Sequence, residues 1–208
     1  MKSLLSRALA LGGVIAPILF VGVSWTCASM RPGYSHLHNF ISELGANGTS
    51  NSELMNYLGF MSSGLLFCLF GIGLFRAVPR KNLARTGTVL IMVFGTGMAL
   101  AGIYSCDSGC PTDGTLESTI HDRVSAITFI SAIIGAIVLG FSFKKAESFK
   151  RIANFSISIG FISALLLVVM IDSFESRTYT GLWQRLLLFS IFLWTSIVGI
   201  KILKLYKV

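Results

Sequence analysis

Two cysteines, four acids and a histidine fall within the eighteen residues SCDSGCPTDGTLESTIHD, Ser105 to Asp122, set between two runs of nearly pure hydrocarbon. His121 is the side chain in this stretch whose ordinary pKa lies near neutrality, so it could serve as a general acid or base, oriented by a carboxylate such as Asp113 or Glu43. Arg185 could hold a lipid phosphate, because a guanidinium forks onto phosphate oxygens. Cys106 and Cys110 stand four residues apart in a loop and favour a disulfide; no second thiol pair lies nearby to complete a zinc knuckle. His36 and His38 invite a metal reading, but on a helix they point about 160° apart and cannot reach one ion. There is no Gly-x-Ser-x-Gly and no His-Glu-x-x-His, and nothing calls for a metal or a cofactor.

The elements that must position these residues follow from composition. Of the 208 residues 53% are hydrophobic and 12% are charged, more apolar surface than one water-soluble core can hide, so the solvent is lipid. Stretches near the roughly 20 residues that cross a bilayer run over residues 8–29, 54–75, 86–104, 124–143, 152–171 and 182–203. Their length favours helices over the alternating ten-residue segments of a membrane barrel. The fold class is therefore all-α: one domain, residues 1–208, a bundle of six transmembrane helices. A signal peptide at the N-terminus is disfavoured, because the apolar run is long for one and contains Pro17.

Charge orients the bundle. Thirteen of the 17 Lys and Arg residues fall at the termini or in the second and fourth connections; Arg31, Arg123, Arg177 and Arg185 fall on the other side with eight of the nine acids. By the positive-inside rule both termini are cytoplasmic, and the chain belongs in the cell (inner) membrane. The net charge of +8 is then a topology signal rather than a nucleic-acid footprint, and the expected partner is membrane lipid. All three histidines and the Cys106/Cys110 pair share the extracytoplasmic side.

In the first outer loop, Ser35 can cap a short helix that Gly45 ends, with Leu37, Phe40, Ile41 and Leu44 at helical spacing. It is expected to lie amphipathically on the membrane surface. Thr119 and Asp122 resemble a capping box that opens the fourth span. His121, Ser125, Thr128 and Gly135 then form a stripe facing other helices. Thr180 can cap the sixth span, which places Arg185 one turn inside it, where an arginine needs a partner.

Three motifs, ISELGA at Ile41–Ala46, DGTLESTIH before the fourth span and GLWQR at Gly181–Arg185, together resemble the prokaryotic membrane proteins grouped as domain of unknown function 998. The resemblance covers essentially the whole chain and implies a six-helix architecture with no settled reaction. It implies Ser42, Glu43, Asp113, His121 and Arg185 as site positions. Two functional classes follow. One is a lipid-active protein with His121, Glu43 and Asp113 as its catalytic group and Arg185 and Ser42 binding ligand. The alternative is a small transporter or an accessory subunit that uses the same cluster as a structural lock. In either, His121, Glu43 and Arg185 are expected in one polar cluster, with Asp113 and Asp172 as reserve partners.

Overall fold

The computed structural model describes Lys2–Tyr206; Lys207, counted above among the cytoplasmic basic residues, lies outside the described residues. The helices are α1 (Lys2–Ser29), α2 (Ser62–Ala77), α3 (Asn82–Ala101), α4 (Leu116–Phe143), α5 (Ala153–Asp172) and α6 (Thr180–Leu205). A π-helical segment, Leu54–Met61, leads into α2, and a 3-10 turn, Lys150–Ile152, leads into α5. Six helical spans among the described residues are long and apolar enough to cross a membrane. Without water to satisfy backbone groups, a chain in hydrocarbon closes its hydrogen bonds within each helix.

Each helix packs on its chain neighbours, and α1 meets α6 to close the ring. Because apolar surface has no preference for protein over lipid tails, small residues bring the helices together. Gly64 of α2 and Gly95 of α3 face each other: a Cβ on Gly64 would lie 2.4 Å from the Ala99 nitrogen, and one on Gly95 would lie 2.7 Å from the Cys68 nitrogen. Aromatic side chains fill the centre, with Phe20 edge-on to both Phe60 and Phe192, and Phe67 stacked on Phe192.

The alternating helices put segments 30–53, 102–115 and 173–179 at one end of the bundle, the loop end, and the basic connections with the start of α1 and the end of α6 at the other. The fourth helix begins earlier than its apolar run suggests. Thr115, rather than Thr119, is its N-cap, accepting the Ser118 N–H at 3.4 Å. Thr115 is selected because Asp107 holds it, taking its N–H at 2.6 Å and its hydroxyl at 3.0 Å. The sixth helix is likewise not capped by Thr180, whose hydroxyl donates to the Ser173 carbonyl; the N-cap is Tyr179, in the left-handed region.

The amphipathic surface helix expected over residues 35–45 is not formed. Ser35 organises a single turn, accepting the Leu37 N–H at its hydroxyl, and a 3-10 turn, Ser42–Gly45, follows. Phe40, Ile41 and Leu44 are buried in the mouth of the bundle rather than laid on the membrane. The apolar periodicity is real, but the segment spends it against protein.

Candidate functional site at the loop end

Glu43 sits in the 3-10 turn at only 4% exposure. Its carboxylate is fully engaged: Oε1 accepts the Phe40 N–H at 2.9 Å, and Oε2 accepts the Asn39 side-chain amide at 2.8 Å. Its cation is Arg177, with Nη1 3.8 Å from Oε1. Arg177 also donates from Nη2 to the carbonyls of Gly109 and Cys110, at 3.1 and 2.8 Å, and lies 4.8 Å over the Phe40 ring. One guanidinium therefore ties the 173–179 loop to both other loops. Cys110, Arg177 and Tyr179 all adopt left-handed φ without being glycine, the kind of local strain that a surrounding network must hold in place.

The expected ion pair between Arg185 and Glu43 is absent. Arg185 donates from Nη1 to the carbonyls of Asn39, at 3.0 Å, and Gly181, at 2.8 Å, and from Nη2 to the Tyr34 hydroxyl at 2.6 Å. Its link to Glu43 runs through Asn39. The reason is a close approach at Gly181, where a Cβ would stand 2.3 Å from the Asn39 oxygen and 2.9 Å from the His36 oxygen. Backbone carbonyls thus reach the guanidinium before any carboxylate can. Burial pushes the Tyr34 phenol above its ordinary range, a rise that the nearby Arg185 charge opposes.

His121 is 5% exposed, and its Nδ1 lies 2.7 Å from the Tyr104 carbonyl oxygen. A carbonyl only accepts, so Nδ1 carries the hydrogen, and in the neutral ring Nε2 keeps a free lone pair. Nε2 has no hydrogen-bond partner among the described residues. His121 lines a cavity of about 300 Å³ between α4, α5 and the start of α6. Ser42, Thr112, Asp122, Arg177 and Gln184 supply its polar wall; Ala126, Phe129, Leu167, Met170 and Phe174 supply the apolar one. A smaller void of about 30 Å³, shared by Ser42, His121 and Gln184, continues inward toward Phe20 and Met98. His121, Thr128 and Gly135 are buried on the inward face of α4.

Cys106 and Cys110 hold their sulfurs at disulfide distance, 1.97 Å, with Cα atoms 5.1 Å apart. Cys27, a conceivable rival partner, is a buried free thiol. The Ser42 hydroxyl lies 3.4 Å from the Cys110 sulfur, and the Asn47 N–H donates to the Cys106 carbonyl at 2.9 Å. Asp113 is exposed in the turn and does not line the cavity; Asp107 is the acid that organises it. Asp172 is exposed as well. His36 stacks on Trp25 at 4.8 Å, whereas His38 stacks on Tyr179 at 5.4 Å, so the two imidazoles serve different partners. Burial, and then the Arg185 charge, hold the His36 pKa below its ordinary value.

Several residues with structural weight here carry no strong signal in the sequence. Arg177 looks like any loop arginine. Gln184 accepts the buried Ile41 N–H at 2.6 Å from within the GLWQR motif. Asn56, in the π-helical segment, donates to the Gly45 carbonyl and the Ser105 hydroxyl, both at 2.9 Å. A polar residue near the start of an apolar span was the one available hint for Asn56.

Six apolar helices with a polar, loop-built site at one mouth define a polytopic membrane protein. Residues 14–201 match the family model described as protein of unknown function (DUF998), and the chain belongs to that family. Neither the curated proteins nor the solved structures yielded a significant match.

Proposed function

We propose that the His121 cavity takes the polar end of a membrane amphiphile at the extracytoplasmic face of the cell membrane, and that His121 Nε2 accepts a proton there. The observation that carries this reading is the Nδ1–H bond to the Tyr104 carbonyl, which leaves Nε2 as the free nitrogen of a histidine that lines a cavity with one polar and one apolar side. Ser42 and Arg177 are the polar groups beside it, and the lipid-exposed helix α5 supplies Leu167 and Met170 for a hydrocarbon segment. Glu43 acts at one remove, by holding the loop. In nanodiscs made from a total bacterial lipid extract, the intact protein is expected to hydrolyse one lipid class, water giving its proton to His121 Nε2 and its hydroxyl to the cleaved ester while the leaving alcohol takes that proton back. His121→Asn, which can still donate to Tyr104 but lacks the ring base, is expected to leave that class intact. Equal lipid profiles for a folded wild type and a folded variant would remove the proton-acceptor role.

The engagement of Glu43, Arg177 and Arg185 in hydrogen bonds to loop carbonyls and amides supports a second reading, a non-enzymatic subunit or transporter locked by the same network. The side assignment rests on the basic residues at the end opposite the loops. Reporter fusions after Gly114 and at Lys207 are expected to report opposite compartments; one common compartment for both would cancel the extracytoplasmic placement.

A further inference from the structure

A second cavity, of about 720 Å³, lies between α1 and α6; it shares no lining residue with the cavity of about 300 Å³, and Phe20, Ile41 and Leu188 are the wall it has in common with the small void inward of His121. It runs from Trp25, His36 and Arg185 at the loop end down to Pro17 and Ser196. Below it the two helices close together: a Cβ on Gly13 would lie 2.9 Å from the Thr195 oxygen, one on Gly199 would lie 2.9 Å from the Ala10 oxygen, and the Ser196 hydroxyl donates to the Gly13 carbonyl. The groove is therefore one-ended. From Arg185 to Ser196 it covers about 16 Å at the rise of an α-helix, close to half of a hydrocarbon core roughly 30 Å thick.

The polar end of this groove holds an uncompensated charge. Among the described residues no carboxylate lies within ion-pair distance of Arg185. Its three hydrogen bonds use both Nη1 hydrogens and one on Nη2, leaving the Nε hydrogen and the second Nη2 hydrogen without acceptors among the described residues. An arginine one turn inside a span and facing an apolar groove calls for an anion that brings its own hydrocarbon.

We propose that this groove binds one glycerophospholipid of the loop-end leaflet, its phosphodiester on Arg185 and one acyl chain laid between α1 and α6 as far as Pro17 and Ser196. A partner helix fits less well, since it would have to carry an anion into an apolar groove to meet Arg185, whereas a phospholipid brings the anion and the hydrocarbon together. Trp25, 66% exposed and stacked on His36, forms the wall at headgroup depth. The inference does not depend on any reaction at His121.

The test is native mass spectrometry of the full chain in mild detergent, with phosphatidylglycerol compared against a diacylglycerol of the same chains. One retained phosphatidylglycerol per protein is expected, with the diacylglycerol held about fivefold more weakly, the size of effect of one basic residue at a headgroup. Arg185→Gln should erase that preference. Because Arg185 also braces Asn39 and Tyr34, a second variant guards against misfolding: Gly22→Leu lines the groove at a place where a Cβ meets nothing within 4 Å, and should lower retention while leaving the loop contacts alone. Retention unchanged in Gly22→Leu, or a diacylglycerol bound as well as phosphatidylglycerol, would overturn the proposal. So would displacement of the lipid by millimolar inorganic phosphate, which would make Arg185 a free-anion site.

Discussion

The two ends of the bundle are built by different rules. At the loop end, contacts join residues far apart in the chain: Glu43 with Arg177, Ile41 with Gln184, Asn56 with Ser105, His121 with Tyr104. At the opposite end the connections are short: two basic side chains rest on nearby rings, Arg85 over Phe75 and Lys144 over Phe141, Phe143 stacks on Phe149, and one longer tie, Arg76 Nε to the Ser6 hydroxyl at 3.5 Å, joins two helices rather than loops. An exposed cation beside an aromatic face is worth about 0.5–1 kcal/mol and leaves neighbouring loops independent. A guanidinium that satisfies a buried carboxylate and two loop carbonyls makes three segments depend on one another. Orientation in the membrane needs only the first kind of contact; a shaped cavity needs the second.

The sharpest way to break this contrast is to remove Arg177. Arg177→Ala leaves the buried Glu43 without its cation and two loop carbonyls without their donor. Glu43 keeps two other hydrogen bonds and the Arg177 side chain is 37% exposed, so the expected loss is discounted to about 2–3 kcal/mol. Arg80→Ala, at the basic end, should stay within about 0.5 kcal/mol. Thermal unfolding of both variants in the same detergent compares the ends directly, and equal losses would abolish the distinction.

The Cys106–Cys110 link should matter next. A loop this short gains little from closure entropy, and its removal is expected to cost about 2 kcal/mol or less. The cost should appear first as hydrogen exchange in residues 105–115 and 173–179, which Arg177 couples. Peptide mass analysis without reductant should recover Cys106 and Cys110 as one linked species; two alkylatable thiols there would remove the link from the network.

The smallest effect concerns pH. The folded protein holds the His36 pKa below the ordinary value of about 6.5, through burial first and the Arg185 charge second. The unfolded chain therefore takes up the proton first. Stability contributed by neutral His36 is complete above about pH 6.5, falls as pH drops below it, and stops falling once pH passes the lower folded value. A shift in melting temperature between pH 7.5 and 5.5 should shrink in His36→Phe, which can keep the stack on Trp25. An identical shift in both proteins would assign the pH dependence to other groups.

The contrast also marks how far the residues could be read in advance. The inward placement of His121 followed from its spacing to Thr128 and Gly135, because a helix fixes which residues share a face. The start of α4 did not, since Thr115 and Thr119 are chemically equivalent caps and only the fold of Asp107 onto Thr115 chooses between them. The Leu37 to Leu44 periodicity announced an apolar face without saying whether lipid or protein would cover it.

By itself the sequence determined six membrane-spanning helices and which connections lie together at which end of the bundle, because hydrocarbon demands long apolar segments with self-satisfied backbones and each crossing reverses the direction of the chain. The tertiary structure alone decided the partners. Arg31, Arg177 and Arg185 carry the same charge and the same fork of donors, so composition cannot rank them as mates for Glu43. Distance does: the close approach at Gly181 occupies both Nη1 hydrogens of Arg185 with the Asn39 and Gly181 carbonyls, and the left-handed turn at Arg177 brings its guanidinium over Phe40 to the carboxylate.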